Sequence, residues 1–302
     1  MNQHILLTGA TGMLGKDLIE TLLKRGHTVS VLSRKPEQIN QVKVFLWNVY
    51  KQEIDMNCLE GVDSIVHLAG ENISKEKWTD KRKKEIIDSR VLSTQLLYKT
   101  IAETKNQVKN FISAAAVGYY GSRGDEILTE DSNPGHNFLA QCCIEWEKAI
   151  DQGKKLNLRI AKIRTGVVLA KKEGALEAMA KPIRFFAGAP LGNGKQWIPW
   201  IHHHDMTQIY LYALENETLT GAYNANAPFP VTNKAITKAI AKHLNRPVWP
   251  FSVPKKILEL ILGEMSSLAI NSTNTSAQKI LSSGFKFKYT HIEQALADIY
   301  DQ

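Results

Sequence analysis

Apolar positions along this chain follow two rhythms. Short, mostly apolar runs stand at Ile5–Leu7, Thr28–Arg34, Val42–Trp47, Asp63–Leu68, Phe111–Ser113 and Leu158–Ile163. Between them, apolar residues recur every three or four places, over about Leu14–Lys24, Ile86–Ile101 and Phe138–Ile150. A short apolar run suits a strand covered on both faces, and the wider spacing suits a helix with one buried stripe. Strands alternating with helices predict an α/β chain on a doubly wound parallel sheet. Beyond Ala170 the rhythm breaks, and Pro182, Pro190 and Pro199 punctuate a less regular region. Helices are still expected at Met206–Leu214, with Asp205 as N-cap, at Ala235–Leu244, capped by Thr232 or Asn233, and at His291–Ile299. Lys255–Leu262 reads as a core helix. The pattern divides the chain into residues 1–169, holding the sheet, and residues 170–302, mainly a smaller lobe partly interleaved with it.

The first strand-to-helix junction reads Thr8-Gly9-Ala10-Thr11-Gly12-Met13-Leu14-Gly15. Gly9 permits a tight turn, Gly12 lets the backbone approach a pyrophosphate, and Gly15 lets the helix pack on the strand. The start of the helix, at Met13 and Leu14, offers unpaired N–H groups and a positive dipole end to phosphates. The spacing is G-x-x-G-x-x-G rather than G-x-G-x-x-G, and a simple connecting turn would also use glycines. The strand before and the helix after point to dinucleotide binding, with Gly9, Thr11, Gly12, Met13 and Leu14 as contacts. Where an NAD-binding fold carries an acid about 20 residues on, this chain has Ser33-Arg34. A hydroxyl and a guanidinium suit a 2′-phosphate, so NADP is expected over NAD. After the fourth strand, Leu68-Ala69-Gly70 leaves room for a flat ring or a ribose.

Composition narrows the class without adding chemistry. The 302 residues are 43% apolar and 23% charged, which argues against disorder. No apolar run approaches the ~18 residues of a membrane span. The N-terminus passes straight into the first strand, which reads as cytoplasmic. The net charge of +8 suits anionic ligands but comes with no nucleic-acid motif. Cys58, Cys142 and Cys143 form neither a disulfide framework nor a metal-ligand spacing. No metal is expected at His202-His203-His204-Asp205, because consecutive side chains of an extended segment point to opposite sides. The basic segment Lys75–Lys84 reads as a solvated helix face.

Several strings then follow in a set order: T-G-A-T-G-M-L-G at 8–15, L-S-R-K-P at 32–36, H-L-A-G-E-N-I at 67–73, S-R-V-L-S-T at 89–94, A-V-G-Y-Y-G at 116–121 and R-T-G-V-V-L at 164–169. The most distinctive is P-L-G-N-G-K-Q-W-I-P-W-I-H at 190–202. Together they resemble the extended short-chain dehydrogenase/reductase superfamily. Within it they look like the atypical epimerase-family branch, described as NAD-dependent epimerase/dehydratase-like or nucleoside-diphosphate-sugar epimerase-like. The resemblance runs nearly end to end. It implies a Rossmann-type domain with a smaller C-terminal substrate lobe, and NADP held by the glycine turn, Ser33-Arg34 and Leu68-Ala69. It further implies that Glu85 and Arg90 lie beside the cofactor, Arg90 reaching a phosphate and Glu85 a ribose hydroxyl or an amide, with Glu147 in a similar role. Ordinary helix-face ion pairing is the competing reading for these three.

Catalysis is where the resemblance frays. Superfamily enzymes use Ser or Thr with Tyr-x-x-x-Lys, the lysine lowering the tyrosine pKa. Registering Trp146-Glu147 on the usual glutamate puts Leu139 and Cys143 at the Tyr and Lys positions, and the serine register falls on Ala114 or Ala115. Tyr119 and Tyr120, just past the fifth strand, with Ser113 nearby, are the alternative proton donors; aromatic packing in a loop is the plainer account. The expected function is an NADP-binding oxidoreductase or epimerase acting on a small hydroxyl- or carbonyl-bearing substrate, a nucleotide sugar among the candidates. The alternative is a non-catalytic NADP-binding sensor or interaction protein. A homodimer is the base-rate expectation.

Overall fold

The computed structural model describes residues 2–171 and 173–301. At its centre is an eight-stranded sheet. Strands β1 (His4–Thr8), β2 (Thr28–Ser33), β3 (Lys43–Asn48), β4 (Glu53–Ile54), β5 (Ser64–His67), β6 (Asn110–Ala116), β7 (Arg159–Thr165) and β8 (Gly221–Ala225) lie in the order β8-β7-β6-β5-β1-β2-β3-β4. Neighbours pair in parallel, except that β4 runs antiparallel to β3 at one edge. The chain winds outward from β1 through β2 and β3, then returns to β5 and winds the other way. Such a reversal opens a crevice beyond the carboxyl ends of the strands, here between β1 and β5.

The main helices are α1 (Met13–Lys24), α2 (Asp80–Glu103), α3 (Phe138–Asp151), α4 (Gly174–Arg184), α5 (His203–Glu215), α6 (Asn233–His243) and α7 (Lys255–Leu262). Successive residues of one strand enter different cores. Ile5 and Leu7 pack with Leu18 and Leu22 of α1 and Met206 and Ile209 of α5. Leu6 packs with Leu96 and Leu97 of α2 and Trp146 and Ile150 of α3. Cover on both faces is why the strands read as unbroken apolar runs. Each aliphatic side chain so buried contributes ~1.5–3 kcal/mol. A third core, around Trp200, α4, α6 and the closing helix Ile292–Asp301, carries much of the chain's last third. Yet β8 and α5, from the same half of the sequence, belong to the central sheet and its first core.

Three local expectations are corrected. β6 runs on to Ala116, past the expected end at Ser113, so Ser113 lies inside the strand rather than at its end. α5 starts at His203, and its N-cap is His202, whose Nδ1 accepts the His204 N–H at 3.1 Å. Asp205 instead lies buried in the first turn and accepts the backbone N–H groups of Lys288 (3.0 Å) and Tyr289 (2.9 Å), tying a later segment to this helix. Lys255–Leu262 is a helix, but Leu258 is its one buried residue and Leu260 is 85% exposed, so it lies at the surface. Thr232 caps α6, its hydroxyl accepting the Ala235 N–H at 3.3 Å. Among the described residues, no helix is long and apolar enough to cross a membrane.

Candidate dinucleotide and reaction site

The turn from β1 to α1 is shaped by side chains that are absent. Gly9 takes φ +75°, and a Cβ there would lie 2.9 Å from the Leu68 carbonyl carbon and oxygen. A Cβ on Gly15 would lie 2.3 Å from the Gly9 carbonyl oxygen. Glycine thus lets the turn, α1 and the segment after β5 close on one another. Gly12 is the N-cap of α1, with no side-chain cap and no acid in the first turn. The N–H groups of Met13, Leu14 and Gly15 are left without intrahelical partners at the positive end of the dipole. Thr11 and Gly12 are exposed beside them. This donor set and its sign fit a pyrophosphate.

The segment after β5 hangs on a buried chain of hydrogen bonds. The N–H groups of Leu68 and Ala69 both donate to Thr8 Oγ1 at 3.1 Å. With those lone pairs taken, the Thr8 hydroxyl donates to His67 Nδ1 at 2.8 Å. His67 then carries its proton on Nε2 and donates to Ser93 Oγ at 3.1 Å, and Ser93 donates to the Arg90 carbonyl at 3.1 Å. Burial, aided by the Arg90 charge, pushes the imidazole pKa down to about 3, so it is neutral at physiological pH. Leu68, Ala69 and Gly70 are therefore positioned from behind by β1 and α2.

Charged groups line the mouth of the crevice. Arg34, just past β2, is 71% exposed and pairs with Glu71 at 3.0 Å. Glu71 also receives Arg82, whose side chain is buried and which reaches Glu85 at 3.1 Å. Burial pushes the Glu71 carboxyl upward, but the Arg82 and Arg34 guanidiniums outweigh it and hold the pKa below the usual carboxylate value. Arg90 donates to the carbonyls of Ile86 (2.9 Å) and Glu71 (3.1 Å) and lies over the Trp146 ring. Its guanidinium is tight against Gly70, where a Cβ would meet it at 3.0 Å. Ser33 is nearly buried and donates to Glu37 at 3.1 Å.

The carboxyl ends of β6 and β7 are built differently. Ser113 is fully buried and donates to the Ala114 carbonyl at 2.9 Å. Tyr120 is fully buried; its phenol donates to Asn224 Oδ1 at 2.7 Å and accepts from Arg164 at 2.8 Å. Burial pushes that phenol up to about 12. Arg164 also grips Glu147 with two bonds, of 2.7 and 3.0 Å, and stacks over the Tyr119 ring at 3.8 Å. Lys162 joins Glu147 at 3.0 Å and Asp151 at 2.9 Å. Glu147 is thus buried between two cations. Tyr119 is half-buried, and its hydroxyl carries no hydrogen bond among the described residues. Leu139 and Cys143 face this segment, for a Cβ on Gly118 would meet both at 3.5 Å. Burial raises the Cys143 thiol pKa far above its ordinary value, so no charge stands there.

The structure therefore brings Gly9, Thr11, Gly12, Met13, Leu14, Arg34, Leu68, Ala69, Gly70, Glu85 and Arg90 around one crevice, and gathers Tyr119, Tyr120 and Glu147 on Arg164. Sequence reasoning passed over Glu71, Arg82, Arg164 and the Thr8–His67–Ser93 chain. A histidine closing an otherwise apolar strand, His67, and basic residues within a strand, Lys162 and Arg164, were the available signals.

Strand order, switch point and glycine turn define a Rossmann-type dinucleotide-binding fold. The chain belongs to the NAD dependent epimerase/dehydratase family, whose model matches residues 5–225. Residues 253–299 match a domain of unknown function, DUF1731. It is 36% identical to the epimerase family protein YfhF of Bacillus subtilis, over 98% of this chain and 97% of that one. It is 37% identical to the chloroplastic SDR39U1 homolog of Arabidopsis thaliana, over 98% and 86%. Among solved structures it is similar to the human epimerase family protein SDR39U1 with NADPH, at TM-score 0.87 and 28% identity over 99% of each chain.

Proposed function

We propose that the protein binds NADP(H) in the crevice between β1 and β5 and acts on a small hydroxyl- or carbonyl-bearing substrate held against the C-terminal lobe. One observation carries this reading: the uncapped start of α1 and the exposed Arg34 open on the same crevice. Gly9, Thr11, Gly12, Met13 and Leu14 take the pyrophosphate, Ser33 and Arg34 take the 2′-phosphate, and Leu68-Ala69-Gly70 form the floor. Glu85 and Arg90 hold that floor through Arg82 and Glu71. The human relative crystallised with NADPH supports NADP(H) as the cofactor.

A bound nicotinamide supplies or accepts a hydride. On the protein side, Tyr119 is the phenol left to hold or pass a proton at the substrate oxygen. Tyr120 is committed to Asn224 and Arg164, and Ser113 lies within the sheet. A second reading, an NADP-binding sensor without turnover, is favoured by Leu139 and Cys143, which offer neither phenol nor charge where the superfamily has both. Free, buried Cys58, Cys142 and Cys143 suit a reducing compartment, and we place the protein in the cytoplasm.

Fluorescence titration with NADPH and NADH, on the protein and on Arg34→Ala, tests the cofactor. Preference for NADPH, with affinity weakened about 10–100-fold in the variant, is expected. Binding of neither would overturn the reading. Consumption of NADPH with a panel of carbonyl compounds, lost in Tyr119→Phe, then separates the enzyme from the sensor.

A further inference from the structure

Arg34 and Glu71 follow β2 and β5, two strands that are not neighbours, since β1 lies between them. An ion pair joining them must cross above the carboxyl end of β1, where the glycine turn begins. Two strand spacings amount to ~9.6 Å, a gap that an arginine and a glutamate side chain bridge together. The partners are held unequally. The other carboxylate oxygen of Glu71 receives both Arg82 Nη atoms at 3.2 Å. Its backbone N–H donates to Ser89 Oγ at 3.0 Å, and its carbonyl receives Arg90 at 3.1 Å. Arg34 is 71% exposed, and Glu71 is its side-chain partner among the described residues. Arg34 can swing away; Glu71 cannot.

We propose that this pair is a latch across the dinucleotide crevice and that Glu71 tunes cofactor affinity: every dinucleotide must open the latch, and only one with a 2′-phosphate gives Arg34 a replacement anion. The inference rests on the cofactor reading above. A dinucleotide lying from the glycine turn toward β2 displaces the bridge. With NADP(H), the phosphate replaces the carboxylate, so Arg34 exchanges one anion for a stronger one. With NAD(H), only a hydroxyl arrives, and the lost ion pair has no successor. The latch thus lowers the affinity for both cofactors, and the choice between them comes from the anion that NADP(H) alone offers Arg34. The fixed Glu71 also stays near the 2′-phosphate and weakens its binding by repulsion.

Isothermal titration of the protein, Glu71→Gln and Arg34→Ala with NADPH, NADH, adenosine 2′,5′-bisphosphate and AMP tests this. Opening an exposed ion pair predicts that NADH binds about two- to fivefold tighter to both variants. NADPH and the bisphosphate tighten at least as much in Glu71→Gln and weaken in Arg34→Ala. Unchanged affinities in Glu71→Gln would overturn the latch, and weaker binding of both cofactors would make Glu71 a ribose acceptor instead. Should Glu71→Gln fail to fold, Arg34→Ala decides alone: NADH affinity that is unchanged or weaker than in the unaltered protein overturns the latch. Failure of the latch leaves NADPH binding intact in the unaltered protein, whereas failure of the cofactor reading abolishes it.

Discussion

The carboxyl ends of β1 and β5 and those of β6 and β7 both carry polar groups, and use them in opposite ways. At β1 and β5 the hydrogen bonds lie behind the surface. Thr8, His67 and Ser93 shape the backbone while the α1 N–H groups stay open. At β6 and β7 the charges face inward onto each other: Arg164, Glu147, Lys162 and Tyr120 form one buried knot, with half-buried Asp151 at its edge. Open donors at an exposed helix start can wait for a ligand, because water satisfies them meanwhile. Buried charges cannot wait and must be paired within the fold. One half of the cleft is therefore a seat, and the other is mainly scaffold with one half-buried phenol at its edge.

The sharpest way to break this contrast is Arg164→Leu, which leaves Glu147 buried with Lys162 alone. A loss of about 3–5 kcal/mol is expected in urea unfolding, and an unchanged midpoint would show that the knot is not structural. Acid should act next. His67 and His202 are both held at about 3, His67 by burial and the Arg90 charge, His202 by burial and the neighbouring His203. Their folded pKa values lie below the unfolded one, so the unfolded chain takes up the proton first. Stability is complete above pH ~6.5 and falls as pH drops toward 3, by about 2 kcal/mol per histidine between pH 6.5 and 5. Melting curves across that window, with a shallower slope in His67→Gln, check it; a flat profile would deny that the imidazoles stay neutral.

Smaller still is Thr8→Val, which keeps the shape but removes the acceptor for Leu68 and Ala69. About 1–3 kcal/mol is expected from the groups left unpaired, with loss of NADPH affinity read by titration. Weakened binding without any change in melting would place the effect on ligand contact alone. The smallest expected change in stability belongs to Arg34→Ala. Its exposed ion pair contributes about 0–1 kcal/mol, so melting should barely move while NADPH binding suffers. A large drop in melting temperature would return Arg34 to the scaffold.

What was legible follows from the range of each signal. Strands covered on both faces announce themselves as apolar runs, and glycines announce a turn that no side chain would fit. Arg34 stood out because it replaced an acid at a known distance from that turn. The Arg34–Glu71 contact was hidden because only the strand order brings these residues together. Asp205 looked like a cap because the helix lay just ahead of it; its real partners, the N–H groups of Lys288 and Tyr289, are far along the chain. Tyr120 looked available because its partner Asn224 sits on β8, 104 residues further along the chain. The apolar stripe of α7 showed periodicity correctly, but periodicity does not say whether anything covers the stripe.

The two backbone N–H groups that rest on Thr8 have a consequence for descent and redesign. The floor of the crevice is suspended from the first strand, and Ser33 and Arg34 take no part in its suspension. Seat and selector are separate parts. A lineage, or an engineer, could exchange one dinucleotide for another by rewriting the end of β2 while inheriting the floor unaltered.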